Sequence, residues 1–117
     1  MIKIYGIKNC DTMKKAFDWL DGKGIGYEFH DYKKSGISDN KLDVWLKSLD
    51  IWKLINAKGS TWRLLTDDEK SSIHDIPSAK ALMKEKTSVI KRPLVELPNG
   101  EYLLGFDDGE WEKKLGK

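Results

Sequence analysis

The sequence predicts an α/β domain with the order β-α-β, a helical insertion, then β-β-α, around a four-stranded mixed sheet. Three observations predict it. Apolar and polar residues alternate in short runs at both ends of the chain, as in half-buried strands. Between them, apolar residues recur at helical spacing. Near the C-terminal end, Pro98-Asn99-Gly100 separates two strand-like runs, and Asn-Gly is a strong hairpin signal.

The first strand is Ile2-Lys3-Ile4-Tyr5, closed by Gly6. Met13, Ala16, Phe17 and Leu20 then fall at i, i+3, i+4 and i+7, one face of an amphipathic helix, and Gly22 and Gly24 supply its stop. Tyr27 and Phe29 alternate with Glu28 and His30, so a second strand follows. The intervening helix is long enough for a parallel crossover.

The middle of the chain reads as helical. Ser38 caps a helix with Leu42, Trp45, Leu46 and Leu49 on its apolar face. A short helix is expected from Ile51 to Ala57, ending near Gly59. Thr66 and Glu69 form a capping box. Pro77 and Ser78 open a further helix carrying Ala81 and Leu82. Strand periodicity returns in Pro93–Leu97 and Tyr102–Leu104, and Asp107 with Glu110 forms a second capping box before a last short helix. One domain over residues 1–117 is expected, with the helical insertion at about 36–88 and helices on the faces of the sheet.

Composition narrows the function classes. The chain has 117 residues, 21 basic and 19 acidic, for a net charge of +2. The two signs are interspersed and no Lys/Arg block is long, which argues against direct nucleic-acid binding. A single cysteine rules out an intramolecular disulfide and so a disulfide-stapled secreted domain. No signal-peptide pattern is recognisable, and no apolar run approaches the roughly 20 residues of a membrane span. A cytoplasmic monomer without a membrane role is the expectation. His30, His74 and Cys10 show no ligand spacing, so no metal site is expected.

Three features carry chemistry. Cys10 falls where the first strand's loop meets the first helix. Helix N-termini present unpaired N–H groups and the positive end of the macrodipole, both of which stabilise a thiolate. The plain alternative is an inert cysteine packed as a small hydrophobe. Arg92-Pro93 precedes the third strand; X–Pro is where cis peptides occur, although a strand-start proline is also ordinary. Arg63 follows Gly59-Ser60-Thr61-Trp62, and a guanidinium there suits an oxyanion or carboxylate, unless it is only a surface arginine packed on Trp62.

Taken together, these stretches resemble one family. Tyr5-Gly6-Ile7-Lys8-Asn9-Cys10-Asp11-Thr12-Met13-Lys14-Lys15-Ala16 resembles the opening of the arsenate reductase (ArsC)/Spx family, in its YffB-like branch. His30-Asp31-Tyr32-Lys33-Lys34, Lys58-Gly59-Ser60-Thr61-Trp62-Arg63 and Ile90-Lys91-Arg92-Pro93 match in the same order. The resemblance implies a thioredoxin-like fold, Cys10 as nucleophilic thiol, Pro93 as a cis-proline beside it, and Arg63 and Arg92 as oxyanion-holding arginines. Asn9 and Thr12 would add hydrogen bonds around the sulfur. It further implies no bound cofactor, glutathione as co-substrate, and glutathione or glutaredoxin as the partner that recycles the thiol.

Two departures shape the expected function. Arsenate reductases of the family carry a third arginine just after the second hairpin strand, where this chain reads Leu104-Gly105-Phe106. Redox members with a Cys-x-x-Cys switch have a second cysteine where this chain has Met13. The expectation is therefore a glutathione-dependent thiol-disulfide oxidoreductase working with one cysteine, rescued by an external thiol. The alternative from another class is an Spx-like regulator binding the RNA polymerase α-subunit, to which five tryptophans would suit a protein interface unless they are core residues. Arsenate reduction stands third.

Overall fold

The structure, a computed structural model, describes residues 1–116. The chain divides into two compact units: Met1–Asp31 with the chain from Arg92 onward, and Tyr32–Lys91.

The first unit holds the sheet. Its strands are β1 (Ile2–Gly6), β2 (Tyr27–Asp31), β3 (Leu94–Glu96) and β4 (Tyr102–Leu104), in the spatial order β2-β1-β3-β4. β1 and β2 run parallel, with Ile4 opposite Phe29, because helix α1 (Asp11–Lys23) carries the chain back between them. The other two pairings are antiparallel, with Ile4 opposite Val95 and Val95 opposite Leu103. The β3–β4 hairpin closes through Pro98-Asn99-Gly100: the Gly100 N–H donates to the Leu97 carbonyl, and Gly100 takes φ 89°, a left-handed conformation that favours glycine. α1 stops where the sequence places its stop, with Gly24 left-handed at φ 68° and the Ile25 N–H donating to the Leu20 carbonyl. This is the four-stranded mixed sheet of a thioredoxin-like fold.

Strand parity decides which side of the sheet is apolar. Ile2, Ile4, Val95 and Leu103 all point to one side, where they bury against Met13, Ala16 and Leu20 of α1 and Trp111 of the last helix, α8 (Asp108–Leu115). The two helices of this unit therefore share one face. Fully burying side chains of this size contributes about 1.5–3 kcal/mol each. The opposite side carries Lys3, Tyr5, Glu28, His30 and Glu96 by the same parity. There the Tyr5 hydroxyl donates to Glu96 Oε1 at 2.9 Å, and burial, with that bond, raises the Tyr5 phenol well above its ordinary pKa.

The second unit is helical: α2 (Tyr32–Ser35), α3 (Asp39–Leu46), α4 (Ile51–Leu54), α5 (Ser60–Arg63), α6 (Asp67–Ser71) and α7 (Ile76–Glu85), then a 3-10 turn at Thr87–Val89. The expected caps form. Ser38 Oγ accepts from the Lys41 N–H, and Thr66 and Glu69 close a full capping box. Four local readings change. α3 ends at Leu46, so Leu49 lies beyond it. α4 ends at Leu54 because Ile55 turns extended, bridging to Ile90, while the Asn56 N–H donates to the Val89 carbonyl. That exchange buries Ile55 and Ile90. Gly59 opens α5 as its N-cap and does not close α4. α7 turns Ala79, Leu82 and Met83 inward and leaves Ala81 exposed; its cap is Asp75, with Pro77 and Ser78 inside the first turn. Lys80 of α7 ties to α3 through Asp43 at 2.6 Å and Asp39 at 2.9 Å. Among the described residues, no helix is long and apolar enough to cross a membrane.

Candidate thiol site

The site is built where β1 hands over to α1. β1 ends at Gly6, and a turn through Lys8 and Asn9 delivers Cys10 to the N-cap of α1 in an extended conformation, φ −127° and ψ 134°. Gly6 lies close against the Met13 side chain here. A Cβ on it would collide with Met13 Sδ and would lie 2.6 Å from Met13 Cε, and Met13 is fully buried. The first turn of α1 thus presses directly on the end of β1, which fixes where the thiol stands. Sequence reasoning used Gly6 only as a strand terminator. The available signal was a glycine ending the strand with an inward-facing apolar residue in the next helix's first turn.

Arg92 arrives from the other direction. β3 runs antiparallel to β1 with Tyr5 opposite Leu94, so two residues upstream of Leu94 the chain is level with the segment leaving β1. There the Arg92 Nε–H donates to Cys10 Sγ at 3.4 Å. The Arg92-Pro93 peptide is cis, Pro93 is buried, and its carbonyl accepts from the Gly105 N–H at 2.9 Å.

Cys10 is half-buried and packs against the apolar cluster under α1. Burial pushes its pKa up. The Arg92 hydrogen bond, the Met13 and Thr12 backbone N–H groups and the Arg92 charge together outweigh that and hold the thiol below the ordinary cysteine value. These amides lie in the first turn of a 13-residue helix, where the macrodipole adds in the same sense. They do not close a cap hydrogen bond of the kind Ser38 makes. The arrangement gives a single partly accessible sulfur, its pKa held below the ordinary cysteine value, beside a permanent cation.

The other sequence-selected residues fall as follows. Thr12 is half-buried at the second position of α1, and its backbone N–H serves the sulfur. Asn9 is exposed in the turn before the cysteine. Arg63 is exposed at the last position of α5 in the helical unit. Leu104-Gly105-Phe106 is given over to packing. Gly105 takes φ 75° and accepts from Trp111 Nε1 at 3.2 Å, and the Phe106 ring stacks edge-on to Trp111 with centroids 4.8 Å apart.

Comparison with known proteins shows what the whole chain is similar to. The ArsC family matches residues 5–114. An uncharacterized protein of Haemophilus influenzae is 38% identical over 112 residues, covering 96% of each chain. Among solved structures, a YffB protein is 40% identical with a TM-score of 0.90, covering 98% of this chain and 99% of its own. An arsenate reductase (ArsC) related protein from Brucella melitensis is 46% identical with a TM-score of 0.77, covering 96% of this chain and 92% of its own. With its cysteine at the head of α1 and its arginine before the buried proline, this chain belongs to the ArsC family.

Proposed function

We propose that the protein is a monothiol oxidoreductase in which Cys10 is the nucleophile and glutathione the reductant. The observation that carries this reading is the 3.4 Å contact from Arg92 Nε to Cys10 Sγ at the N-terminus of α1. It places a cation where a thiolate forms, in a chain with no second cysteine. The balanced sequence has two exchanges. The Cys10 thiolate attacks the glutathionyl sulfur of a mixed disulfide, RS–SG; the S–S bond breaks and RS⁻ leaves, to be protonated to RSH. A glutathione thiolate then attacks the Cys10–SG disulfide, releasing oxidised glutathione and restoring the Cys10 thiolate. The net change is RS–SG + GSH → RSH + GSSG: one disulfide replaces another, the substrate sulfur being reduced and the incoming glutathione sulfur oxidised.

Arg92 has a second task in this scheme. Its charge favours binding of the carboxylates of glutathione as well as the thiolate. Arg63, Asn9 and Thr12 are proposed as further ligand contacts, and glutaredoxin as an alternative recycling partner. Arsenate as a substrate is disfavoured because Gly105 and Phe106 stand where the oxyanion-holding third arginine would be, and Phe106 is committed to Trp111. An Spx-like role on RNA polymerase draws support from Trp52 and Leu64, which are 50% and 84% exposed, but Trp45 and Trp111 are wholly buried and explain themselves as core.

The test is reduction of a glutathionylated peptide by reduced glutathione, followed by mass spectrometry of the protein. The proposal expects turnover and a glutathione adduct on Cys10, both absent in Cys10→Ser. Full turnover by Cys10→Ser would refute it.

A further inference from the structure

A groove of about 500 Å³ lies within the helical unit, assigned to nothing by the thiol chemistry. Its location follows from the packing there: α2, α5 and α7 all contact the 3-10 turn Thr87–Val89. That turn is held firmly. Val89 and Ile90 are fully buried, the Val89 carbonyl accepts from the Asn56 N–H at 2.8 Å, and the Lys91 N–H donates to the Leu54 carbonyl at 2.6 Å. Side chains projecting from it are therefore presented on a fixed backbone. Gly36 at the groove's edge takes φ 62°, which lets the chain leave α2 sharply and keeps the rim open.

The lining is rich in donors. Lys33, Lys84 and Lys86 contribute three ammonium groups against the single carboxylate of Glu85, and Thr61, Thr87 and Ser88 contribute three hydroxyls. Acids outside the lining temper this charge. Asp39 accepts from Lys84 at 2.7 Å, and is shared with Lys80 at 2.9 Å; Glu69 feels the Lys86 charge. The lining residues include no arginine, so the planar fork that suits a carboxylate is missing. Lysine point charges with hydroxyl donors suit a compact anion with several oxygens and close to two negative charges, which is the description of a phosphate monoester near neutral pH. The volume falls in the range of small-molecule sites.

We propose that this groove binds a small phosphorylated compound, its phosphate held by Lys33 and Lys86 with the hydroxyls of Thr61, Thr87 and Ser88. Every lining residue belongs to the helical unit, and the proposal does not rest on the thiol chemistry.

The experiment is a titration of the full chain with inorganic phosphate, followed by amide NMR at constant ionic strength with chloride as the replaced anion. Saturable shifts at Thr61 and Lys86–Ser88 are expected. In Lys33→Gln/Lys86→Gln the apparent affinity should fall about tenfold or more, as two charge-assisted contacts are lost. The rest of that variant's spectrum reports whether it is folded; if it is not, Thr87→Ala/Ser88→Ala replaces it, with the same loss expected in smaller degree. Linear, unsaturable shifts would overturn the proposal. So would shifts confined to Asn9–Met13, which would put the anion at the thiol loop, or wild-type affinity in a folded variant.

Discussion

Two kinds of helix start occur in this protein. In the helical unit, α3, α6 and α7 begin with Ser38, Thr66 and Asp75, whose side-chain oxygens accept from the Lys41, Glu69 and Ser78 amides. Each satisfies an otherwise orphaned donor and is worth about 1 kcal/mol. In the sheet unit, the longest helix, α1, begins with Cys10 and closes no such bond. Its amides instead bias a sulfur toward the thiolate, with Arg92 completing the electrostatics. The same backbone feature satisfies a side-chain oxygen in one region and lowers a thiol pKa in the other. α5 also starts without a side-chain cap, at Gly59, but there no thiol stands at the helix end.

The largest way to break this contrast is Cys10→Ser. Turnover should fall by about a thousandfold or more, because the hydroxyl is no substitute for the thiolate. Stability should move the other way, rising by about 0.5–1 kcal/mol as serine caps α1. Glutathione-dependent turnover and a urea melt on the same sample check both signs.

Gly6→Ala comes next. The new methyl must displace the buried Met13 side chain, at a cost of about 1–3 kcal/mol. Because Met13 belongs to the first turn of α1, alkylation of Cys10 at neutral pH should slow as well. A chemical melt with iodoacetamide kinetics tests the pair of effects. Thr66→Ala is the control from the helical unit. It removes a full capping box, so stability should drop by about 1 kcal/mol while Cys10 alkylation is unchanged.

The smallest effect is the pH dependence of stability. The folded Cys10 pKa is depressed relative to the unfolded thiol, so ionised Cys10 favours the folded state. That contribution is complete above the unfolded cysteine's pKa, and is lost as pH falls through the lower folded value. The stability difference between wild type and Cys10→Ser should therefore shift in favour of wild type as pH rises from neutral into the alkaline range. Parallel urea melts across that range should show the trend.

Much of the fold was legible because local signals agreed with one another. Alternation at Ile2–Tyr5, the helical face of Met13, Ala16 and Leu20, and the caps at Ser38 and Thr66 are nearest-neighbour effects that need no tertiary information. What was not legible depended on partners distant in sequence. Ile51–Ala57 has helical spacing, but Ile55 leaves the helix to pair with Ile90, which no local pattern announces. Ala81 sits at an apolar-compatible position, yet the buried stripe of α7 runs one step over, through Ala79, Leu82 and Met83. At the site, Cys10 was marked by its place between strand and helix. Its contact with Arg92 joins residues 82 positions apart, and was suggested only by family resemblance. The close approach of Gly6 and Met13 does have a local signal, a strand-ending glycine followed by an apolar residue in the next helix's first turn.

Arg92 and the start of α1 together lower the Cys10 pKa. The most direct test is the Cys10 pKa, measured by the pH dependence of alkylation in wild type and in Arg92→Ala. A wild-type midpoint below that of an unfolded control peptide, moving upward in Arg92→Ala, is the predicted result. A midpoint at or above the peptide value, or one indifferent to Arg92, would contradict the account.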